Sequence, residues 1–306
     1  MLLATSCPCC GQAPARSYPA AVSPFIAAYV FGRGPWPTAL LECGGCGFRY
    51  FEGRFEADEE ARLYAGYRGE RYFRERRGFE WWYGRRANRA LGWDAREIEA
   101  RKRRIARVLE RQPGVAGLPS VLDFGGDRGQ FIPDSLGPER YVLDLSGADP
   151  VAGVTALAGL AQLGPGRTVA LLLCCHVLEH SADPAALLAQ AGKAVAPGGW
   201  LYVEVPLEPQ DLRLVPRGAW YGRYVAALCR HPAWFRLVDF YSTLFRVKLG
   251  VVPPLGVLKA HEHINFFGLN SLERLVSAAG YAVRYSGVQS NDGASAASLC
   301  CLAQKA

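Results

Sequence analysis

The stretch Val121-Leu-Asp-Phe-Gly-Gly-Asp-Arg-Gly129 decides the fold class of this chain. Its first four residues end a predicted strand, and the glycines after them form a turn that opens a helix. Open α/β sheets receive a nucleotide-type ligand at such a turn, at the carboxyl ends of their strands. At Gly125 and Gly129 a side chain would collide with a ligand or force a strained backbone. The stretch therefore predicts a ligand site at the end of a first strand.

Runs typical of buried strands follow this turn. RYVLDLS, TVALLLCCHVL and WLYVEVP alternate with helical segments, one of them rich in alanine at about residues 184–196. Continuous apolar strands separated by helices are typical of a parallel sheet that is covered on both faces. A helix near residues 271–279 and two last strand-like runs, YAVRYSGV and SLCCLAQKA, predict a terminal hairpin on the sheet edge. The predicted fold class is α/β, with a mostly parallel, Rossmann-like sheet.

An acidic residue ends the second of these strands. Asp144 stands about twenty residues after the glycine turn. An acid at this distance can accept hydrogen bonds from both hydroxyls of a ribose. The turn and the acid together predict a ribose-bearing cofactor.

These motifs resemble those of the class I methyltransferases that use S-adenosylmethionine. The first motif of that family, an acidic residue followed by G-x-G-x-G, corresponds to Asp123, Gly125 and Gly129, with Asp127 at the middle glycine position. The acid of the family's second strand falls on Asp144. HVLEHSADP closes the fourth strand, and APGGWLYVEVP resembles the family's L-x-P-G-G turn and fifth strand.

The resemblance covers residues 119–206 and implies a class I sheet with an antiparallel C-terminal strand and S-adenosylmethionine as cofactor. A carboxylate at residue 127 could face the cationic part of the cofactor or point away from it. The residues that the resemblance places at the cofactor are Asp123, Gly125, Gly126, Asp127, Gly129, Asp144, Leu145 and His176.

Two cysteine pairs near the N-terminus predict a metal site. Cys7-x-x-Cys10 and Cys43-x-x-Cys46 are each followed by glycine, and the chain has ten cysteines in all. Four thiolates close a tetrahedral zinc site and leave no open position, so the zinc would be structural. In CPCC, Cys9 is an alternative ligand. The remaining cysteines lie mainly in apolar runs and are interpreted as core residues.

Composition and charge bound the class of protein. Half of the residues are hydrophobic and 21% are charged, which excludes a disordered chain. The start of the chain, MLLATSCPCC, reaches cysteines before a signal-peptide core could form, and no uncharged apolar run is long enough to span a membrane. We therefore expect a cytoplasmic protein. The net charge is +7, with the basic excess concentrated between Arg62 and Arg111.

We divide the chain into three segments: a zinc-binding module at 1–55, a helical arm rich in arginine and aromatic residues at 56–118, and a methyltransferase domain at 119–306. Within the arm, GYRGERYFRERRGFEWWYGRRAN could bind a nucleotide-linked sugar or RNA, or could simply pack on the main domain. The domain contains an aromatic and arginine-rich insertion at about 206–260. This insertion could cap a substrate cleft, form a dimer, or contact a membrane surface through residues 219–252.

The acceptor side carries a second resemblance, to sugar 3-C-methyltransferases and related glycan-cluster methyltransferases. Their Glu-His pair falls on Glu262 and His263, and a further histidine corresponds to His180. Histidine titrates near neutral pH and can remove a proton from a hydroxyl or from a carbon beside a carbonyl. Glu262 could orient an imidazole. The predicted catalytic residues are His180, Glu262, His263 and His176.

A metal-assisted variant uses some of the same residues. His176, Glu179 and His180 have the i, i+3, i+4 spacing of one helical face and could bind a divalent ion together with His263. Ubiquinone-type and small-RNA O-methyltransferases have a similar segment at this point. The possible catalytic divalent metal is therefore retained as an alternative.

The leading hypothesis is S-adenosylmethionine-dependent methylation of a sugar, a nucleotide-sugar or another anionic or sugar-bearing small molecule. One alternative is an RNA methyltransferase, which the basic arm favours; we do not expect it, because no Asn/Asp-Pro-Pro-Tyr-type motif occurs. The other is a non-catalytic zinc-bearing module, which Asp127 suggests. The acceptor, the methylated atom and the oligomeric state stay open.

Overall fold

A computed structural model describes residues 1–115, 117–208, 211–289 and 297–306, except for the side chains at 87 and 89–91. The chain forms two compact units, each assembled from segments that are far apart in sequence. The first unit consists of Met1–Cys7, Gly11–Asn88 and Glu208–Phe266. The second consists of Pro8–Cys10, Arg89–Leu207 and Phe267–Ala306.

The secondary structure is numbered in chain order. The strands are β1 (Leu2–Leu3), β2 (Pro14–Val22), β3 (Pro37–Cys43), β4 (Arg49–Phe51), β5 (Gly53–Arg54), β6 (Ser120–Phe124), β7 (Glu139–Leu143), β8 (Thr155–Leu157), β9 (Val169–Cys175), β10 (Val195–Pro206), β11 (Lys259–Ala260), β12 (Asn265–Phe266), β13 (Tyr281–Gln289) and β14 (Ser298–Lys305). The helices are α1 (Pro24–Phe31), α2 (Ala57–Tyr64), α3 (Glu70–Phe79), α4 (Arg85–Trp93), α5 (Ala95–Leu109), α6 (Pro184–Gly192), α7 (Ala219–Arg230), α8 (Pro232–Leu249) and α9 (Leu269–Ala278).

The second unit contains the predicted α/β sheet. Its strands lie in the order β13-β14-β10-β9-β6-β7-β8, and those from β8 to β10 are parallel. The chain steps outward from β6 to β8 and then returns to β9 beside β6, which creates a crevice at the carboxyl ends of these two strands. The fold-class prediction is confirmed. The predicted hairpin is also present, with β14 antiparallel to both β10 and β13.

Burial explains why these segments form a sheet. β9 is apolar along its length, and its leucines are completely buried. Asp94 caps the start of helix α5, because its side chain accepts the backbone N–H of Arg96. The buried residues of this helix include Ile105 and Val108. These two side chains share a core with Val121 and other sheet residues. The helix ends at Leu109.

The first unit is built around a second sheet, in the order β11-β2-β3-β4-β12. Its core is aromatic and joins residues that are distant in sequence, among them Phe25, Tyr72, Tyr221 and Phe235, which are all fully buried. Residues 208–266 belong to this unit because α7 and α8 share this core. The division into a zinc-binding module, a helical arm and a methyltransferase domain, made from the sequence alone, stays a prediction.

Helices α7 and α8 lie within the aromatic and arginine-rich insertion predicted at about 206–260. Among the described residues, no helix is both long enough and apolar enough to cross a bilayer.

Candidate functional site

The glycine turn after β6 has the backbone that the sequence predicts. Gly125 and Gly129 adopt positive φ angles of 72° and 73°, which side chains rarely allow. A Cβ on Gly125 would lie 2.4 Å from the Val177 side chain, and one on Gly129 would lie 2.8 Å from the Val154 side chain. Glycine is therefore required at both positions by the protein's own packing, whether or not a ligand is bound.

Asp123 lies directly beneath this turn. A Cβ on Gly126 would come within 2.1 Å of the Asp123 carboxyl carbon. The residue is 2% exposed, and within the described chain its Oδ2 atom has no hydrogen-bond partner. Burial raises the pKa of Asp123 to about 7, and the nearby charge of Arg101 opposes this rise. A buried acceptor without a partner fits a donor on a bound ligand, such as the amino group of S-adenosylmethionine.

Asp127 occupies the position of the family's middle glycine with a glycine-like backbone. Its φ angle is 55°, in the left-handed region. The side chain of Gln130 donates to the Asp127 carboxylate at 3.0 Å. The backbone N–H of Asp127 donates to the Asp144 carboxylate at 2.8 Å. Aspartate is one of the few residues that tolerate this conformation, so the motif keeps its shape here without the glycine.

Asp144 holds the turn and keeps capacity for a ligand. Its two carboxylate oxygens accept the backbone N–H groups of Asp127 and Ser146, each at 2.8 Å. A carboxylate has about four acceptor positions, so oxygen lone pairs remain for the hydroxyls of a ribose. The neighbouring Leu145 side chain is exposed and offers an apolar surface beside the acid. The turn, Asp123 and Asp144 therefore fit a nucleoside-bearing cofactor.

His176 lies between two buried carboxylates just after β9. Its Nε2 atom lies 3.0 Å from Glu204 Oε1, and its Nδ1 atom lies 3.3 Å from Glu179 Oε1. Burial and Arg101 lower the pKa of His176, but hydrogen bonds to the two glutamates outweigh both and raise it. Two carboxylates facing the ring nitrogens stabilise the protonated form of His176, which favours an electrostatic role over proton abstraction.

Glu204 on β10 anchors a charge cluster that the sequence did not suggest. It is completely buried and accepts the Tyr202 hydroxyl at 2.9 Å. Arg101 Nε and Arg104 Nη2 of helix α5 lie 3.8 and 3.9 Å from its Oε1 atom. Burial would raise the pKa of Glu204, but Arg101 and His176 hold it well below its usual range. The only sequence signal was the basic run RKRR at 101–104, which looks like an ordinary charged helix face.

His180 stands at the end of a turn, not on the helix that an i, i+3, i+4 pattern requires. Its N–H donates to the Val177 carbonyl at 3.0 Å, and residues 178–180 form a turn. Glu179 Oε1 lies 3.9 Å from His180 Nε2. The divalent-ion alternative, which adds His263 from the first unit, stays a prediction.

The first unit contains a polar cavity of about 200 Å³. The segment that links β11 to β12 runs along it, and this segment carries His261, Glu262 and His263. The side chains that line the cavity include basic groups (Arg76, Arg246, Lys259), acidic groups (Glu80, Glu208, Glu262), imidazoles (His261, His263) and aromatic rings (Trp82, Phe266).

His263 pairs with a carboxylate that the sequence did not identify. Its Nδ1 atom lies 2.5 Å from Glu208 Oε1. Glu262, the predicted orienting residue, instead accepts the Tyr67 hydroxyl at 3.0 Å and Arg76 Nη1 at 3.1 Å. Glu208 follows the end of β10 by two residues, but nothing in its local sequence indicates a partner 55 residues away.

His261 lies in a more buried environment. Its ring stacks on Phe25 with centroids 5.6 Å apart, and its Nε2 atom lies 3.2 Å from Glu80. Burial lowers the pKa of His261 to about 3, so the ring is neutral at physiological pH. Lys259 donates to Glu80 at 2.6 Å and to Asp239 at 2.8 Å. The charges on this side of the cavity are thus paired.

Cysteines of the first unit are arranged like metal ligands. The sulfurs of Cys7, Cys43 and Cys46 lie within 4.8 Å of one another, and Cys7 Sγ is 3.7 Å from Cys46 Sγ. Two thiolates on one tetrahedral zinc ion with Zn–S bonds of about 2.3 Å are about 3.8 Å apart. The spacing therefore fits a shared ion and is too long for a disulfide.

Two matching turns shape this cluster. Gly11 N–H donates to the Cys7 carbonyl, and Gly47 N–H donates to the Cys43 carbonyl, at 2.8 and 3.0 Å. Both glycines have positive φ. Cys10 stands within the first turn, immediately before Gly11. Cys9, the alternative ligand, donates to the Ser271 carbonyl at 3.1 Å.

Comparison with known proteins identifies the family. Residues 88–286 match the family model described as a methyltransferase domain, and this range is well over half of the chain. The chain therefore belongs to the methyltransferases of class I fold, which use S-adenosylmethionine as the methyl donor. A comparison with curated protein sequences found no match.

Several solved methyltransferase structures are similar to this chain. One is 1,6-didemethyltoxoflavin-N1-methyltransferase from Burkholderia thailandensis, at 18% identity over 70% of this chain and 82% of that chain, with a TM-score of 0.42. Another is magnesium protoporphyrin IX methyltransferase from Synechocystis PCC 6803, at 14% identity over 81% and 100%, with a TM-score of 0.46. A third is N-methyltransferase NodS from Bradyrhizobium japonicum WM9, at 13% identity over 69% and 98%, with a TM-score of 0.38.

Proposed function

We propose that this methyltransferase methylates a sugar or sugar-bearing small molecule, with His263 as the general base. The 2.5 Å contact between His263 Nδ1 and Glu208 Oε1 carries the proposal. A carboxylate at Nδ1 fixes the tautomer in which Nδ1 holds the proton, so Nε2 keeps its lone pair. The same carboxylate stabilises the imidazolium that forms when Nε2 accepts a proton. A neutral acceptor hydroxyl requires this step before it can attack a methyl group.

S-adenosylmethionine supplies a methyl group that its sulfonium already activates. We propose that Asp123, the glycine turn and Asp144 hold it in the second unit. Displacement at such a methyl requires alignment of the acceptor and removal of its proton. The acceptor-side residues are therefore the ones that distinguish this enzyme within its family. We propose that His180, Glu262 and His176 also belong to the acceptor side. The divalent-ion alternative uses His176, Glu179, His180 and His263.

The cavity of the first unit favours a hydroxylated acceptor. Trp82 and Phe266 offer aromatic faces on which the C–H side of a sugar ring packs. Lys259 and Arg76 are paired with buried acids, which leaves Arg246 as the exposed basic group of the lining. An acceptor with several hydroxyls and one anionic group fits this balance of charge. An oxygen or a carbon beside a carbonyl could receive the methyl group.

A transfer assay tests the proposal. Radiolabelled methyl transfer from S-adenosylmethionine is measured with a panel of sugars, nucleotide-sugars, RNA and small phenols. We expect turnover with a sugar-bearing acceptor and a loss of about 10²–10⁴-fold in kcat for His263→Ala. S-adenosylhomocysteine affinity, measured by calorimetry, should not change in this variant.

The matched control is His231→Ala, because His231 is exposed at the junction of α7 and α8. It should retain full activity. Wild-type turnover in His263→Ala would reject the general-base role. Turnover with RNA alone would support the RNA alternative, and no heat with S-adenosylhomocysteine would support the non-catalytic one.

A second proposal concerns the metal. We propose that Cys7, Cys10, Cys43 and Cys46 bind one structural zinc ion. The clustered sulfurs of Cys7, Cys43 and Cys46 and the matching glycine turns support it, and the CxxC spacing adds Cys10 as the fourth ligand. A closed tetrahedral site takes no part in the reaction.

A further inference from the structure

The solvent-facing side of helix α8 is apolar. Its buried side carries Phe235, Asp239 and Ser242. The opposite side carries Trp234, Leu237, Tyr241 and Leu244, with exposed fractions of 65%, 61%, 37% and 44%. We call these four residues the α8 apolar face. Surface helices normally place polar residues opposite their buried side, so this arrangement is inverted.

Other exposed apolar side chains are concentrated in the same segment. Among the residues that the structure describes, nine of fifteen exposed large hydrophobic side chains lie between Leu214 and Leu255. Val247 and Leu249 extend the apolar character to the end of α8, and Trp220 adds an exposed ring at the start of α7. Such a concentration of exposed apolar side chains indicates a surface that another molecule covers.

The charge of the two helices identifies that molecule. Every exposed charged side chain of α7 and α8 is basic. Arg246 lines the cavity of the first unit, and the others are Arg223, Arg230, Arg236 and Lys248. Their one acidic residue, Asp239, is buried against Lys259 at 2.8 Å. An apolar face on helices whose exposed charges are all positive is complementary to an anionic surface with an apolar layer beneath it. A second copy of this chain would bring positive charge against positive charge.

We propose that α7 and α8 dock on an anionic lipid bilayer, with α8 lying in the plane of the interface. An 18-residue helix is about 27 Å long and can insert one face to the depth of the headgroups without spanning the membrane. Tryptophan and tyrosine favour this depth because their rings are apolar and their N–H and O–H groups stay hydrated. The lipid headgroups neutralise the exposed basic side chains of the two helices.

Vesicle co-sedimentation tests this docking without any methyl transfer, so its outcome is independent of the proposed function. The full-length protein is mixed with vesicles of phosphatidylcholine alone, or of phosphatidylcholine with 30% phosphatidylglycerol. We expect binding to the anionic vesicles and little to the neutral ones. The combined variant Trp234→Ser, Leu237→Ser and Leu244→Ser should reduce the partition coefficient by about tenfold or more, because it removes the inserted apolar area.

A charge variant provides a second, independent measurement. Arg236→Gln with Lys248→Gln should reduce partitioning by about fivefold for each charge removed. The control, Leu3→Ser with Val288→Ser, changes exposed apolar residues outside these helices and should bind like the wild type. Failure of the wild type to bind anionic vesicles would overturn the proposal. So would equal loss in the control, or a wild-type dimer that the three serine substitutions make monomeric.

Discussion

The buried carboxyl of Asp123 predicts that Asp123→Asn stabilises the fold while it weakens cofactor binding. Burial raises the pKa of this carboxyl from 3.8 to about 7. The folded chain then binds the proton more tightly than the unfolded chain does. The contribution of this carboxyl to the free energy of unfolding is therefore highest below about pH 4 and falls as the pH rises to about 7, above which it no longer changes.

The size of the effect follows from the two pKa values. The loss of stability, relative to a protonated carboxyl, is about 2 kcal/mol at pH 5 and about 4 kcal/mol at pH 8. Asparagine does not ionise, so the variant avoids this loss. Relative to the wild type, Asp123→Asn should therefore gain about 2–3 kcal/mol more at pH 8 than at pH 5.

Urea unfolding at both pH values, followed by circular dichroism, measures this difference. The matched control is Asp134→Asn, because the Asp134 side chain is 73% exposed and lies on the surface of the same unit. Its effect should be the same at both pH values. An equal change for Asp123→Asn at pH 5 and pH 8 would refute the reasoning.

Calorimetry tests the role of the same side chain in cofactor binding. Asp123→Asn should bind S-adenosylhomocysteine at least about tenfold more weakly, because it loses a charged acceptor. Unchanged affinity would place Asp123 outside the cofactor site.

Three further predictions concern the base, the metal and the glycine turn. Glu208→Gln should lower kcat by about 10²–10³-fold and leave S-adenosylhomocysteine affinity unchanged, because the amide still holds the ring but no longer offsets its charge; an unchanged kcat would contradict this. Mass spectrometry should find about one zinc ion per chain. The Cys43→Ser variant should lose this ion and the Cys229→Ser variant should keep it. Zinc retained in Cys43→Ser would exclude the Cys43 thiolate as a ligand. Gly129→Ala should lower the free energy of unfolding in urea by about 2–4 kcal/mol, because of the positive φ angle and a side-chain contact at 2.8 Å. The control, Gly147→Ala, has open space around it and should lower the free energy by about 1–2 kcal/mol. Equal losses would show that the contact at Gly129 is relieved.

The residues of the predicted cofactor site could be identified from the sequence because they lie close together in it. Asp123, Gly125 and Gly129 belong to one turn, and turn geometry follows from the residues within it. Asp144 comes one strand later, and parallel strands bring their carboxyl ends to the same edge of a sheet. The cysteine pairs could be recognised as candidate metal ligands for the same reason, because each CxxC with its glycine forms a turn by itself.

The sequence identified only some of the residues of the predicted acceptor side. The sequence indicated His263, but its carboxylate partner, Glu208, comes from 55 residues earlier in the chain. Likewise, Arg101 and Glu204 are more than one hundred residues apart and meet only because α5 packs on the sheet. A charged residue carries no local mark of which opposite charge it will meet, since that depends on how distant segments pack.

Hydrophobic pattern and turn chemistry act over a few residues, and they were enough to determine the class of sheet, the end of the sheet where a cofactor is predicted and the residues in the glycine turn. The tertiary structure alone decided which carboxylate lies beside His263, that His176 lies between two glutamates, and which side of α8 faces solvent. Those outcomes depend on the burial of side chains contributed by remote segments, and burial is a property of the packed chain.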